Sequence, residues 1–367
     1  MKRVVMLLTL GVTLSYQACS PDVSFNEQTA TLASVDSSGN PTGNPSGDPS
    51  ADASGVVKTK SVAQSFEINK NPDIDVLFIV DNSGSMDAEQ KNFSAKINGF
   101  MNLIKDLNWH VALTTTDPRA NTLSADNISR AWGDGQFRPF DSDTGSLFVL
   151  KASEYNVTAA QAMLASAITV GLRGSGDERA INSAYRAIER IADTAANQTF
   201  FRTNAKLVVI TISDEDECSN GGCLTTQPKS VPQNLVDHVH NTFGKDKVFM
   251  FDSIVRAKAD TTCNTAAVAN VYESMAKLTG GIVGSVCATD YTSILSSIGA
   301  KTVELLKSIN LDCAPLDTDG DGKADIELYN TKGQAITSGF SISGTTLAFS
   351  ATLAEGNYSA KYTCAVK

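Results

Sequence analysis

Val76-Leu77-Phe78-Ile79-Val80-Asp81-Asn82-Ser83-Gly84-Ser85 is the stretch on which the fold turns. The run from Val76 to Val80 is apolar at every position, without the alternation of a half-solvated strand, and so reads as a strand covered on both faces. A polar turn follows at once. Beyond it Phe93, Ile97, Phe100, Met101, Ile104 and Leu107 recur at spacings of three and four, which predicts a helix. Leu207 to Ile212 and Val248 to Phe251 repeat the unbroken apolar character of the first strand. Ile181, Tyr185, Ile188 and Ala192 make another helical face, and Ile294, Ile298, Leu305 and Ile309 mark one more in or near a helix. Strands interleaved with helices predict an α/β fold, a doubly wound and mostly parallel sheet with helices on both sides.

Composition narrows the functions open to such a fold. The chain has 367 residues, enough for two or three domains at ~150 residues each. Thirty Lys and Arg stand against forty Asp and Glu, a net charge of −10, so no general basic field exists to neutralise a phosphate backbone and nucleic acid is not expected as a partner. Only three histidines occur, His110, His238 and His240, which argues against a multi-histidine metal centre. His238 and His240 are two apart in a helical stretch, on different faces, and are expected at the surface.

The first residues read as an address. Lys2 and Arg3 precede an apolar run from Val4 to Leu14 that would span only ~16 Å as a helix, too short to cross a bilayer. Residues 1–18 are therefore expected to be a cleaved signal peptide. The Ala18-Cys19 junction resembles a bacterial lipobox, which implies lipidation at Cys19; Tyr16 stands where that motif usually has Leu, and ordinary cleavage is the alternative. Setting Cys19 aside leaves an even set, Cys218, Cys223, Cys263, Cys287, Cys313 and Cys364, which an oxidising compartment would pair. Locality favours Cys218–Cys223, Cys263–Cys287 and Cys313–Cys364. Zinc is a poor reading, because no C-x-x-C pair occurs.

From Ser34 to Gly55 nearly every residue is Ser, Gly, Pro, Asn, Asp or Thr, too little apolar surface to offset chain entropy. Residues 19–60 are read as a disordered tether, residues 66–309 as the large α/β domain and residues 311–367 as a small antiparallel β module. In that last region Asp325 to Tyr329, Phe340 to Ile342, Thr346 to Ser350 and Tyr358 to Cys364 look like short strands between Gly and Asn turns. A module of that size is marginal on its core alone, so a Cys313–Cys364 bridge contributing ~2–4 kcal/mol would matter. Asp117 to Ala159 fits the α/β rhythm least and is expected to form an ordered excursion, packed down by Trp132, Phe137, Phe140 and Phe148.

In an open α/β sheet, ligands bind at the carboxyl ends of the strands, where Asp81, Ser83 and Ser85 fall. One carboxylate and two hydroxyls on a tight turn are hard oxygen donors suited to Mg²⁺ or Ca²⁺. This D-x-S-x-S turn after a buried strand resembles the metal-ion-dependent adhesion site of von Willebrand factor type A domains. The resemblance covers roughly Phe66 to Ile309. It implies that Asp214, after Leu207 to Ile212, completes the site, and that a residue of Gly174-Ser175-Gly176-Asp177-Glu178 takes the place of the family's threonine. Ser175 matches best by its distance to the following helix, with Asp177 and Glu178 as alternatives. The acidic run Asp214-Glu215-Asp216-Glu217 reads either as charge displayed beside the metal or as a solvated loop.

A second cation loop lies at Asp317, Asp319, Asp321 and Asp325, with Gly322 for the bend and the Lys323 carbonyl as a further oxygen. It resembles short calcium loops of the D-x-D-x-D-G type and implies Ca²⁺. No phosphate loop, dinucleotide fingerprint or nucleophile elbow is present in the sequence. The expectation is a non-enzymatic lipoprotein of the cell envelope, on an outer membrane, periplasmic or surface-exposed. Its metal would take a carboxylate from a protein or glycan ligand, and its only membrane contact would be the N-terminal lipid. A structural scaffold with an internal metal is the alternative, a metal-dependent hydrolase the third.

Overall fold

The computed structural model describes residues 57–68, 72–119, 132–142, 145–219, 226–351 and 353–366. The signal peptide, Cys19, most of the tether and Cys223 lie outside these residues. The apolar run extends backward into strand β2, Asp73–Val80, which is buried along all but its first residue. Two parallel neighbours flank it: β3, Asn108–Thr115, on one side and β5, Lys206–Ile212, on the other. The sheet continues from β5 to β6, Phe249–Val255, and β7, Val283–Ser285, both parallel. At the opposite edge β4, Leu150–Lys151, pairs antiparallel with β3, giving the order β4-β3-β2-β5-β6-β7.

Alternate residues of β2 serve two cores, as the two-residue period of a strand requires. Val76, Phe78 and Val80 pack with α1, Asp87–Ile104, α2, Val157–Ile168, and α7, Thr292–Leu305. Phe78 meets Phe93 and Phe100 edge to face at 6.0 and 5.7 Å, and full burial of each such ring contributes on the order of 2–3 kcal/mol. Leu77 and Ile79 face the other core, with α3, Ala180–Glu189, α4, Ala195–Phe200, α5, Pro232–Phe243, and α6, Asn270–Leu278. The result is a mixed α/β fold with helices on both faces of a mostly parallel sheet.

The region after α7 is antiparallel. Strands β8, Ser308–Asn310, β11, Phe340–Ser343, and β12, Thr346–Phe349, form one sheet in the order β11-β12-β8. Ile309, which the helical spacing placed in or near a helix, lies in β8. Beside this sheet, β9, Ile326–Tyr329, β10, Ala335–Ile336, and β13, Gly356–Ala365, join a strand from the other end of the chain, β1, Thr59–Ile68. β1 runs antiparallel to β13 over its whole length, from Thr59 opposite Ala365 to Ile68 opposite Gly356. The boundaries read from sequence split this strand between tether and large domain. Its alternation is weak, since Val62 and Phe66 are its only large apolar residues before Ile68, and its partner lies at the far end of the chain.

Cys263–Cys287 and Cys313–Cys364 are bonded as locality implied. Cys218 is also in a disulfide, and its expected partner Cys223 lies outside the described residues. The described part of the excursion lies along the outer edge of β3: Thr114 donates its hydroxyl to the carbonyls of Trp132 and Gln136, and Arg138 donates its N–H to Leu113. Trp132, Phe137 and Phe140 are buried there, as expected of rings that pack a loop down. His238 is half-buried and stacks on Tyr185, with ring centroids 3.9 Å apart.

Candidate metal centre

β2 and β5 are the adjacent strands from which the chain departs in opposite directions across the sheet, so their carboxyl ends border the crevice where open α/β sheets bind ligands. Asp81 follows β2, and its N–H donates to the Ile212 carbonyl of β5 at 3.0 Å. Its carboxylate has no exposed surface. Oδ1 accepts the Ser83 N–H at 2.8 Å, and Oδ2 accepts the Ser213 hydroxyl at 2.6 Å. Burial pushes Asp81 up to about 6, against the lowering effect of these two donors. Ser83 and Ser85 bring their hydroxyl oxygens to 3.1 Å, Ser83 buried and Ser85 exposed, so the donor set opens to solvent on the Ser85 side.

The third loop is brought in by Gln90 and Gly174. The buried Gln90 amide donates to the Asp81 carbonyl at 2.8 Å and to the Gly171 carbonyl at 2.9 Å. Gly174 donates its N–H to the Asn82 carbonyl at 2.7 Å, and a Cβ there would meet that oxygen at 2.6 Å. Close approach of the two backbones therefore requires glycine. Ser175 donates its N–H to Asp117 Oδ2 at 2.8 Å, and its hydroxyl accepts the Asp177 N–H at 3.1 Å. Asp177 is held in an ion pair by Arg179, and Asp117 in one by Arg119.

Glu178 is the member of that loop that faces Asp81. It has no exposed surface, and Oε2 accepts the Thr116 hydroxyl at 2.5 Å. Burial, and then the charge of Asp81, push its carboxyl up to about 10. Glu178 Oε1 is buried without a hydrogen-bond partner, and so is Asp214 Oδ1. Among the described residues no lysine or arginine pairs with Asp81, Glu178 or Asp214. Glu178, buried with one oxygen unpartnered and with no such pairing, either keeps its proton or takes a cation. The donors Asp81, Ser83, Ser85, Glu178 and Asp214 are hard oxygens and fit Mg²⁺ or Ca²⁺.

The acidic run is neither a charge display nor a solvated loop at its inner positions. Asp216 accepts the N–H groups of Val271 and Tyr272 at the start of α6. Glu217, buried, accepts those of Ile181 and Asn182 at the start of α3, at 2.9 and 3.1 Å. Neither helix has a cap hydrogen bond from its own N-cap side chain, so these carboxylates satisfy amides that would otherwise lack partners. Asp214 and Glu215 remain on the side of Asp81 and Glu178, to which their charges couple.

In the C-terminal loop Asp317, Asp319 and Asp325 bring carboxylate oxygens within 4.8 Å of one another. Asp321 stands outside that trio and accepts the Lys323 N–H at 2.8 Å. Asp317 accepts the N–H groups of Gly320 and Gly322, two glycines whose φ values of 82° and 84° turn the loop around it. Among the described residues no other acidic trio converges so closely, so Asp81, Glu178 and Asp214 do not close on one point. A cation at Asp81 would keep hydroxyl and water oxygens in its shell.

No family model and no curated protein matches the chain. Solved structures that it resembles include proximal thread matrix protein 1 from the mussel byssus, 12% identical over 67% of this chain and 50% of that one, with a TM-score of 0.37. Another is the pilus adhesin SpaC from Lactobacillus rhamnosus GG in its open conformation, at 10% identity over 84% and 41% and a TM-score of 0.36. A third is the pilus adhesin RrgA from Streptococcus pneumoniae, at 11% over 96% and 68% and a TM-score of 0.35. The chain spans half or less of the length of the first two. Likenesses of this depth carry no argument about ligand or partner. No helix among the described residues is long and apolar enough to cross a membrane.

Proposed function

We propose that this chain is an envelope-anchored binding protein, held to an outer membrane by a lipid on Cys19. Its doubly wound sheet is of the von Willebrand factor type A kind and engages a carboxylate of a protein or glycan ligand through Mg²⁺ or Ca²⁺. The observation that carries the reading is the pair Asp81 and Glu178: two carboxylates without exposed surface, Asp81 at the end of β2 and Glu178 on the loop before α3, with one Glu178 oxygen unpartnered. Asp81, Ser83 and Ser85 would hold the cation directly, with Glu178 and Asp214 reaching it through water, and a bound cation supplies an electrophile for an incoming carboxylate. The chain's own residues fix that donor set: Ser213 orients Asp81, Gln90 and Gly174 hold the two loops together, and Thr116 orients Glu178. Asp317, Asp319 and Asp325 form the second site, for Ca²⁺, which would offset their mutual repulsion and order the start of the β module. The reading is of binding without turnover.

Glu178 also favours a second reading. A further carboxylate beside the cation lowers its electrophilicity, so an internal metal that rigidifies the loops of an envelope scaffold fits the same donors. Calorimetric titration of the mature chain with Mg²⁺ and Ca²⁺ tests both. One binding event should vanish in Asp81→Ala and another in Asp319→Ala. Acetate, as the smallest carboxylate probe, should bind the Mg²⁺-loaded chain and fail on Asp81→Ala. Cation binding without acetate binding selects the internal metal, and absence of any event at Asp81 removes both readings.

A further inference from the structure

A cavity of about 560 Å³ opens at the outer edge of the large sheet, between the backbone leading into β4 and the short helix α4. None of its lining residues belongs to either cation site. Trp132, Phe137, Phe148 and Val149 give it an apolar wall, and Lys151 and Glu154 stand at its lining as an ion pair of 2.6 Å. The buried Asn197 in the lining is already engaged: its amide donates to the Ala187 carbonyl at 2.8 Å and its oxygen accepts the Thr194 hydroxyl at 2.5 Å. Protein interiors are close-packed, and an apolar recess of this size lies in the range of small-molecule sites.

The wall is held in a strained backbone. Trp132 has a φ of 47°, a conformation that bulky side chains rarely adopt, while Asp134, at 52°, is of a residue type that visits it more readily. Gly133 and Gly135 between and after them have no room for a side chain: a Cβ would meet the Asp117 carbonyl at 2.0 Å and the Ala187 nitrogen at 2.2 Å. The turn is locked at both ends. The Trp132 carbonyl accepts the Thr115 N–H at 3.1 Å and the Thr114 hydroxyl at 2.9 Å, and the Asp134 carboxylate is paired with Arg186 at 2.7 Å and with Arg190. Strain of this kind persists only where the surroundings over-determine it, and it gathers at binding sites. Here it sets the Trp132 indole edge to face with Phe148, centroids 6.5 Å apart, at the cavity wall.

We propose that this cavity binds a small uncharged aromatic molecule about the size of indole, seated against Trp132 and Phe148. Ring walls set edge to face accept a further ring in the same manner. The paired charges of Lys151 and Glu154 offer no free partner to an ion, which selects an uncharged ligand.

The test uses the mature chain, ¹⁵N-labelled in its two tryptophans and titrated with unlabelled indole. Indole should move the Trp132 side-chain N–H signal saturably and leave that of the buried Trp109 in place. Ala196→Phe, which fills the cavity from α4, should weaken binding by about tenfold or more while its unfolding midpoint holds, with Ala196→Leu used should the larger ring prevent folding. Indole-3-acetate, the same ring with a negative charge, should bind about tenfold more weakly than indole. No saturable shift, an equal shift in a folded filled variant, or equal affinity for the charged analogue would each overturn the proposal.

Discussion

Ser213 and Asp81 meet across the two central strands, the serine hydroxyl donating to Asp81 Oδ2 at 2.6 Å, with neither residue exposed. The serine touches no solvent and sits outside the proposed donor set, yet it fixes the direction of one Asp81 oxygen. Replacing Ser213 by alanine should leave the fold in place at a cost of ~1 kcal/mol and weaken Mg²⁺ binding at Asp81 by roughly tenfold or more. Calorimetry on folded Ser213→Ala reads the effect. Unchanged affinity would show that Asp81 is oriented by the Ser83 N–H alone.

Gly174 tests whether the proposed cation site depends on backbone approach. A Cβ at this position would meet the Asn82 carbonyl at 2.6 Å and its side-chain oxygen at 2.2 Å. Gly174→Ala must therefore push the two loops apart. It should abolish cation binding at Asp81 while the C-terminal calcium event persists, whereas Gly176→Ala, with open space around its Cβ, should bind as the parent does. Equal calorimetric traces for the two variants would remove Glu178 and its loop from the site.

Asp216 and Glu217 show what was and was not legible in the sequence. The strands β2, β5 and β6 and helix α1 announce themselves through local apolar pattern, because both faces of each strand and one face of the helix are buried in one contiguous stretch. The D-x-S-x-S turn is equally local. A cap supplied from another loop has no local signal: nothing around Glu217 says that its carboxylate ends at the first turn of α3, thirty-odd residues earlier in the chain. The sequence leaves Glu178 as an alternative to Ser175, which spacing favours, and only the folded loop shows the Glu178 carboxylate beside Asp81. Asp216→Ala should lower stability by ~0.5–2 kcal/mol in urea unfolding, with Asp216→Asn recovering most of it, because the amide oxygen still accepts from Val271 and Tyr272. Full loss in both variants would mean that charge, and not the accepted hydrogen bonds, holds α6.

Asp252 lies within β6 with no exposed surface. Its Oδ1 accepts the Ile282 N–H at 2.7 Å, while Oδ2 has no partner. Burial pushes it from 3.8 up to about 7, partly offset by that bond and by Lys301. Between those two values the unfolded chain has released the proton and the folded chain keeps it. The folded chain thus binds more protons, and stability from this group is present below 3.8 and lost as pH rises through about 7. Asp252→Asn has nothing to release. The parent should lose on the order of 2–4 kcal/mol relative to this variant between about pH 4 and about pH 8. Parallel stability curves in denaturant would place the proton elsewhere.

β1 bears on where the folded part begins. It supplies a full antiparallel partner to β13, and Phe66 stacks on Tyr358 with ring centroids 5.8 Å apart. It also joins the small hydrophobic cluster that contains Leu328, Leu347 and Tyr362. Without β1, strand β13 becomes an exposed edge, open to pairing with another chain. The Cys313–Cys364 bridge would still close the module's loop but replaces none of these contacts. A chain beginning at Asp73 should therefore keep the α/β core and the Asp81 cation event, while the β module loses its near-ultraviolet signal and is cut by protease between β8 and β13. A chain beginning at Val57 should resist. Equal resistance of the two would mean that β9, β10 and β13 hold together without the strand that precedes the large domain, and that β1 serves only to bring the N-terminal segment to the module.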